Sequence, residues 1–170
     1  MSLSKLTAEL GHSFADRALL QTALTHRSFG ASNNERLEFI GDGVLNCVIA
    51  VALFRRYPDL DEGDLSRMRA NLVRQDTLHR LAVALHLGDS LRLGEGELKS
   101  GGNQRPSILA DTVEALIGAV YLDGGFEAAQ ALIGRLYLPM FDELTSGAVT
   151  KNAKTTLKEW RQAFSRPRSG

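Results

Sequence analysis

Apolar residues recur along this chain at helical spacing rather than strand spacing. At about 100° per residue the pattern predicts helices over 3–10, 16–27, 34–57, 64–74, 76–86, 106–123, 125–143 and 153–163. Period-two alternation is nowhere sustained and β-branched clusters are scarce, so the expected class is an all-α helical bundle. Boundary chemistry agrees. Asn33 or Asn34 can cap the long helix, Asp76 the fifth; Pro58 stops the long helix, and Pro106 suits a first helical turn. Gly94 to Arg105, GEGELKSGGNQR, is too rich in glycine and polar groups for a regular element and is expected as loop. Gly124–Gly125 is expected to break helices cleanly, and the linker candidate is Thr145 to Asn152.

Two helices carry an anomaly. Asn34 to Leu45, NERLEFIGDGVL, opens a helix that is apolar on nearly every side. With Leu37 at zero, Glu38 falls near about 100° and Asp42 near about 140°, in the stripe shared by Leu45, Ile49 and Leu53. Ser107 to Asp123, SILADTVEALIGAVYLD, repeats the pattern with Asp111 and Glu114, beside the small residues Ala115 and Gly118. Buried charges are normally paired or bound to metal. Acids three or four apart on each of two buried helices can converge on one point. Four hard oxygen ligands there, Glu38, Asp42, Asp111 and Glu114, describe a Mg²⁺ or Mn²⁺ site suited to phosphate ester hydrolysis. A solvated face accounts for Glu35 and Arg36, but poorly for Glu38 and Asp42.

Composition adds less. At 170 residues, 44% hydrophobic and 24% charged, the chain can bury one sizeable core. Net charge is zero but unevenly divided. Residues 151–170 hold six basic side chains, Lys154 among them, against one acid, which leaves 14 basic and 19 acidic residues in 1–150. An acidic body with a basic tail fits a metal-loading domain joined to a nucleic-acid-binding appendage. In the glycine-rich loop, Lys99 and Arg105 are candidates to hold a phosphate backbone. The single cysteine, Cys47, excludes an intrachain disulfide and is expected packed and reduced. Apolar runs such as Val48 to Phe54 are too short to span a bilayer, and the amino end lacks the apolar centre of a signal peptide. No membrane partner is expected, and the expected location is cytoplasmic.

NNERLEFIGDGVL at 33–45 resembles the signature of the ribonuclease III family. ALTHRSF at 23–29, EGDLSRMRANLV at 62–73 and SGGNQRPSILADTVEALIGAVYLDGG at 100–125 agree with that family in order and spacing. The resemblance covers roughly residues 5–146, and KNAKTTLKEWRQ at 151–162 resembles the opening of a double-stranded-RNA-binding domain. It divides the chain into a catalytic domain at 1–146, a linker at 147–152 and an incomplete RNA-binding domain at 153–170. By resemblance Asp42 and Glu114 are the most rate-critical of four metal-binding carboxylates, Glu35 and Glu62 line the cleft of a homodimer, and Phe39 inserts into the partner subunit. Gly43 departs from the usual Ser or Ala, at about 1 kcal/mol of helix propensity and without loss of a ligand.

The implied activity is Mg²⁺-dependent hydrolysis of both strands of double-stranded RNA, with Mn²⁺ as a substitute. The products would carry 5′-phosphate and 3′-hydroxyl ends with short 3′ overhangs, in rRNA and mRNA processing. Three alternatives make different demands. A non-cutting RNA-binding relative should have lost carboxylates, and an all-α nucleotide pyrophosphohydrolase gives the blocks at 23–29 and 62–73 no role. A His-based ribonuclease needs paired histidines, whereas His12, His79 and His86 are scattered and His26 is expected to pack or orient the first carboxylate helix.

Overall fold

The fold is organised by one helix pair. The computed structural model describes residues 2–150, with side chains described through Glu143. In chain order the helices are α1 (Leu3–Leu10), α2 (Arg17–Ala23), α3 (Glu35–Arg56), α4 (Glu62–Val73), α5 (Gln75–Ala84), α6 (Glu95–Lys99) and α7 (Pro106–Thr150). Short 3-10 turns lie at Leu87–Asp89 and Gly102–Gln104, and no strand ladder forms among the described residues beyond an isolated bridge between Thr25 and Arg92. The class is all-α, as the periodicity indicated.

α3 and α7 make the most extensive helix contact, with α5 packed on α7 and α4 on α3. Their crossing uses matched spacing. On α3, Glu38, Gly41, Asp42 and Leu45 share one face; on α7, Asp111, Glu114, Ala115 and Gly118 do. A Cβ on Gly41 would fall 1.7 Å from the Glu114 carbonyl oxygen, and one on Gly118 would fall 2.2 Å from the Leu37 carbonyl oxygen. The two backbones therefore touch where each helix lacks a side chain. Around this crossing Leu45, Ile49, Leu53, Leu116, Ile117 and Val120 are buried, and Tyr137 closes the core by donating its hydroxyl to the Leu72 carbonyl at 2.7 Å.

Several local expectations change. α2 ends at Ala23, and the chain from Thr25 turns to bridge Arg92. Asn34 sits at the start of α3, but its buried side chain donates to the Ala23 carbonyl at 3.1 Å; Asn33 is the residue that accepts Glu35 N–H, also at 3.1 Å. Asp76 lies inside α5 and accepts from Arg74 at 2.6 Å, so it is not a cap. The glycine-rich stretch holds α6 and a 3-10 turn, elements too short for periodicity to reveal. Gly125, at φ 87°, kinks α7 without any intervening loop, so the break is one residue wide. The backbone stays helical through Thr150, into the expected linker; the rest of the linker, the 153–163 helix and Lys154 lie outside the described residues.

By length and composition alone, α3 and the 106–143 part of α7 would suffice to cross a membrane. Counting uninterrupted apolar runs missed this, because glycine, alanine and asparagine lengthen the window. Here both serve as packed core helices. Cys47 is exposed rather than packed.

Two substitutions test the crossing. Gly41→Ala forces the helices apart and is expected to cost about 3 kcal/mol or more, whereas a Cβ on Gly43 meets nothing within 4 Å. Gly43→Ala should instead stabilise by about 0.5–1 kcal/mol through helix propensity. Urea denaturation of both variants reads the opposite signs.

Candidate active site

The same contact delivers the chemistry. One carboxylate oxygen from each of Glu38, Asp111 and Glu114 lies within 4.8 Å of the others. Asp42 stands on the solvent side of this triad, outside the tightest group. It hydrogen-bonds Glu114, and its Oδ1 accepts from Asn46 at 3.3 Å. All four acids picked out by their helical spacing are thus neighbours, three in a tight set and the fourth attached to it.

Crowding and burial set their protonation. Glu114 is pushed up to about 9, first by burial, then by its hydrogen bond and charge repulsion with Asp42. Glu38 is raised to about 7 by burial and then by Asp111. Burial also raises Asp111, opposed by the hydrogen bond from Glu38 and by His26 and Arg27 nearby. Across the helix crossing the raised Glu38 is hydrogen-bonded to Asp111, and the raised Glu114 to Asp42. Four hard oxygen donors, with Glu38 and Glu114 raised toward their acid forms, are a donor set from which a small divalent cation displaces protons. The acidic cluster fits divalent-metal use.

Beside the triad opens a cleft of about 460 Å³, lined by His26, Glu35, Glu38, Glu97, Arg105 and Asp111 among others. Glu35 is among the residues lining this cleft of the single chain. Glu62 sits exposed in the first turn of α4 and does not line this cleft. Arg105 reaches the cleft but is ion-paired with Glu97, a partner eight residues earlier that sequence inspection did not identify. Lys99 points elsewhere, pairing with Glu95 at 3.0 Å on the exposed side of α6. Phe39 is 81% exposed on α3, a large apolar side chain left uncovered by the described residues. His26 bonds Ser28 through its ring nitrogen Nδ1 rather than any residue of α3.

The description Ribonuclease-III-like matches residues 16–141. Over 162 residues the chain is 64% identical to Ribonuclease 3 of Dechloromonas aromatica, an alignment spanning 95% of this chain and 73% of that protein. The chain belongs to the ribonuclease III family. Ribonuclease 3 of Bordetella pertussis is 61% identical over 162 residues, 95% of this chain and 63% of that protein. Among solved structures, the nuclease domain of ribonuclease III from Campylobacter jejuni superposes with a TM-score of 0.79 at 45% identity, covering 82% of this chain and 96% of that one. A second structure of that domain is described for flexibility in its region involved in dimer formation. Dicer from Pichia stipitis superposes with a TM-score of 0.61 at 26% identity over 79% of this chain and 60% of that one. The protein is accordingly an endoribonuclease of the ribonuclease III family, which sets aside the nucleotide pyrophosphohydrolase alternative.

The shifted acids make stability depend on pH in a definite direction. In the unfolded chain Glu38 and Glu114 ionise near 4.5, while in the fold they hold their protons to about 7 and about 9. The folded state then binds more protons across that window, so its stability is full below the lower value and is lost as pH rises through the upper ones. Thermal unfolding of the metal-free protein should occur at falling temperature between about pH 5 and pH 9. Glu114→Gln should flatten much of that slope.

Proposed function

We propose that the chain carries the catalytic domain of a divalent-metal-dependent endoribonuclease that hydrolyses both strands of double-stranded RNA. Residues 1–146 form that domain, 147–152 the linker and 153–170 the beginning of an RNA-binding domain. The observation that carries the reading is the set of four interlocked carboxylates at the α3–α7 crossing, in a chain that belongs to a ribonuclease family.

Glu38, Asp42, Asp111 and Glu114 are the residues that would hold Mg²⁺, with Mn²⁺ able to substitute. Bound divalent ions supply charge neutralisation and Lewis acidity for attack of water on a phosphodiester. The chain's own part is proton release: Glu38 and Glu114 would give up the protons they hold when a divalent ion binds. Their burial keeps the oxygens fixed by the crossing rather than by flexible loops. Glu35 and Glu38 lie on the cleft wall, where a duplex with its wide, shallow minor groove can approach by shape. The expected products bear 5′-phosphate and 3′-hydroxyl ends with short 3′ overhangs, as in cytoplasmic rRNA and mRNA processing.

Two such sites in a symmetric homodimer would address two strands that are themselves related by two-fold pseudo-symmetry. Phe39 supports this assembly, because an uncovered aromatic on the helix that builds the site is suited to burial in a partner subunit.

Cleavage of a long RNA duplex is expected with Mg²⁺ and not with EDTA. Removing even a hydrogen-bond partner of a metal ligand costs about 10–100-fold, so Glu114→Gln should lose more than about 100-fold. Undiminished cleavage in the variant or in EDTA would remove the proposed site. Phe39→Ala tests the dimer separately. Burying a phenylalanine gives about 1.5–3 kcal/mol, counted twice in a two-fold interface, so the dimer Kd should rise by at least about 100-fold in analytical ultracentrifugation.

A further inference from the structure

The segment Thr25 to Ser28 is pinned more firmly than a loop requires. His26 N–H donates to the Arg92 carbonyl and Asn34 N–H to the Thr25 carbonyl, each at 2.9 Å. The His26 ring is fixed through one nitrogen only. Ser28 N–H donates to Nδ1 at 3.1 Å, Ser28 Oγ lies 2.8 Å from the same nitrogen, and that Oγ accepts Gly94 N–H at 2.9 Å. Gly94 is needed for this approach, since a Cβ there would fall 2.3 Å from the Ser28 carbonyl oxygen.

These contacts assign the tautomer. A backbone N–H can only donate, so Nδ1 must present its lone pair, and the Ser28 hydroxyl, already accepting from Gly94, turns its own hydrogen toward the ring. The proton of the neutral imidazole therefore sits on Nε2. No hydrogen-bond partner for Nε2 is found among the described residues, and His26 lines the cleft with Glu35, Glu38 and Asp111. Four acids, Glu35, Glu38, Glu97 and Asp111, share that wall with Arg27 and Arg105, and the Arg105 guanidinium is engaged by Glu97. A phosphate entering here can meet the exposed Arg27 charge and, at His26, a donor whose ring is already held in place.

We propose that His26 is a substrate-contacting residue whose Nε2–H donates to a phosphate oxygen of the RNA strand lying in the cleft beside Asp111. The assignment rests on the reading of this cleft as a double-stranded-RNA nuclease site. It makes the opposite demand from a purely structural histidine. A loop-holding ring needs its Nδ1 acceptor, which asparagine reproduces, whereas a substrate donor needs the Nε2 position, which glutamine reproduces.

Steady-state cleavage of a defined RNA duplex in Mg²⁺ by His26→Asn and His26→Gln, with thermal unfolding of each, separates the two. The asparagine variant should unfold near the wild-type temperature yet lose about tenfold or more in kcat/KM, chiefly through KM, as for one hydrogen bond to a charged group. Glutamine should stay within about threefold of wild type. An asparagine variant as active as wild type, or a loss in the glutamine variant equal to or larger than in the asparagine one, overturns the assignment while leaving the nuclease reading intact. A wild-type protein that fails to cut the duplex ends the nuclease reading and this inference together.

Discussion

Backbone contact between α3 and α7 at Gly41 and Gly118 is the constraint on which the rest of this molecule depends. Helices normally meet through side chains, at axis separations of about 8–10 Å. Here a missing Cβ on each side lets carbonyl oxygen approach the facing helix directly. Glu38 and Asp42 flank one glycine, and Asp111 and Glu114 precede the other within two turns, so the closeness of the backbones becomes the closeness of the acids. Any residue that widened the crossing would dilute the site without touching a ligand.

That closeness has an electrostatic cost, which the protein meets with protons. Burial and mutual repulsion hold Glu114 and Glu38 in their acid forms well above the ordinary carboxylate range. Each shares its hydrogen with an acid on the opposite helix, so the metal-free site is cross-linked by two hydrogen bonds rather than split by four negative charges. The arrangement is stable enough to fold and still disposed to exchange protons for cations.

How much of this was legible in the sequence follows from what periodicity can encode. The two site helices stood out because acids sat within stripes of leucine and isoleucine, and the small residue Gly118 hinted at a close approach. Gly41 carried the same information and went unread, since in an all-apolar helix it resembled any other permissive position. Direction was the weak point. α3 is apolar on nearly every side, so spacing could not tell its core face from the face bearing exposed Phe39, Cys47 and Phe54. Family resemblance supplied Phe39 and left Cys47 misread as packed. The loop residues fared worse for a different reason: the Arg105–Glu97 and Lys99–Glu95 pairs depend on a five-residue helix and a 3-10 turn that leave no periodic trace. The hydrogen bonds from Ser28 and Gly94 that fix His26 join segments 66 residues apart, beyond the reach of local pattern.

The Arg105–Glu97 pair has a kinetic side. With the Arg105 guanidinium already matched, Arg27 is left to offset Glu35, Glu38 and Asp111 on the same wall, and an approaching polyanion meets little net attraction. On the proposed reading, encounter would be sequential: divalent cations would offset the acids before a duplex settles. Such ordering would make the enzyme's appetite for RNA follow the free divalent-ion concentration around it, so a shortage of that ion would slow capture as well as chemistry.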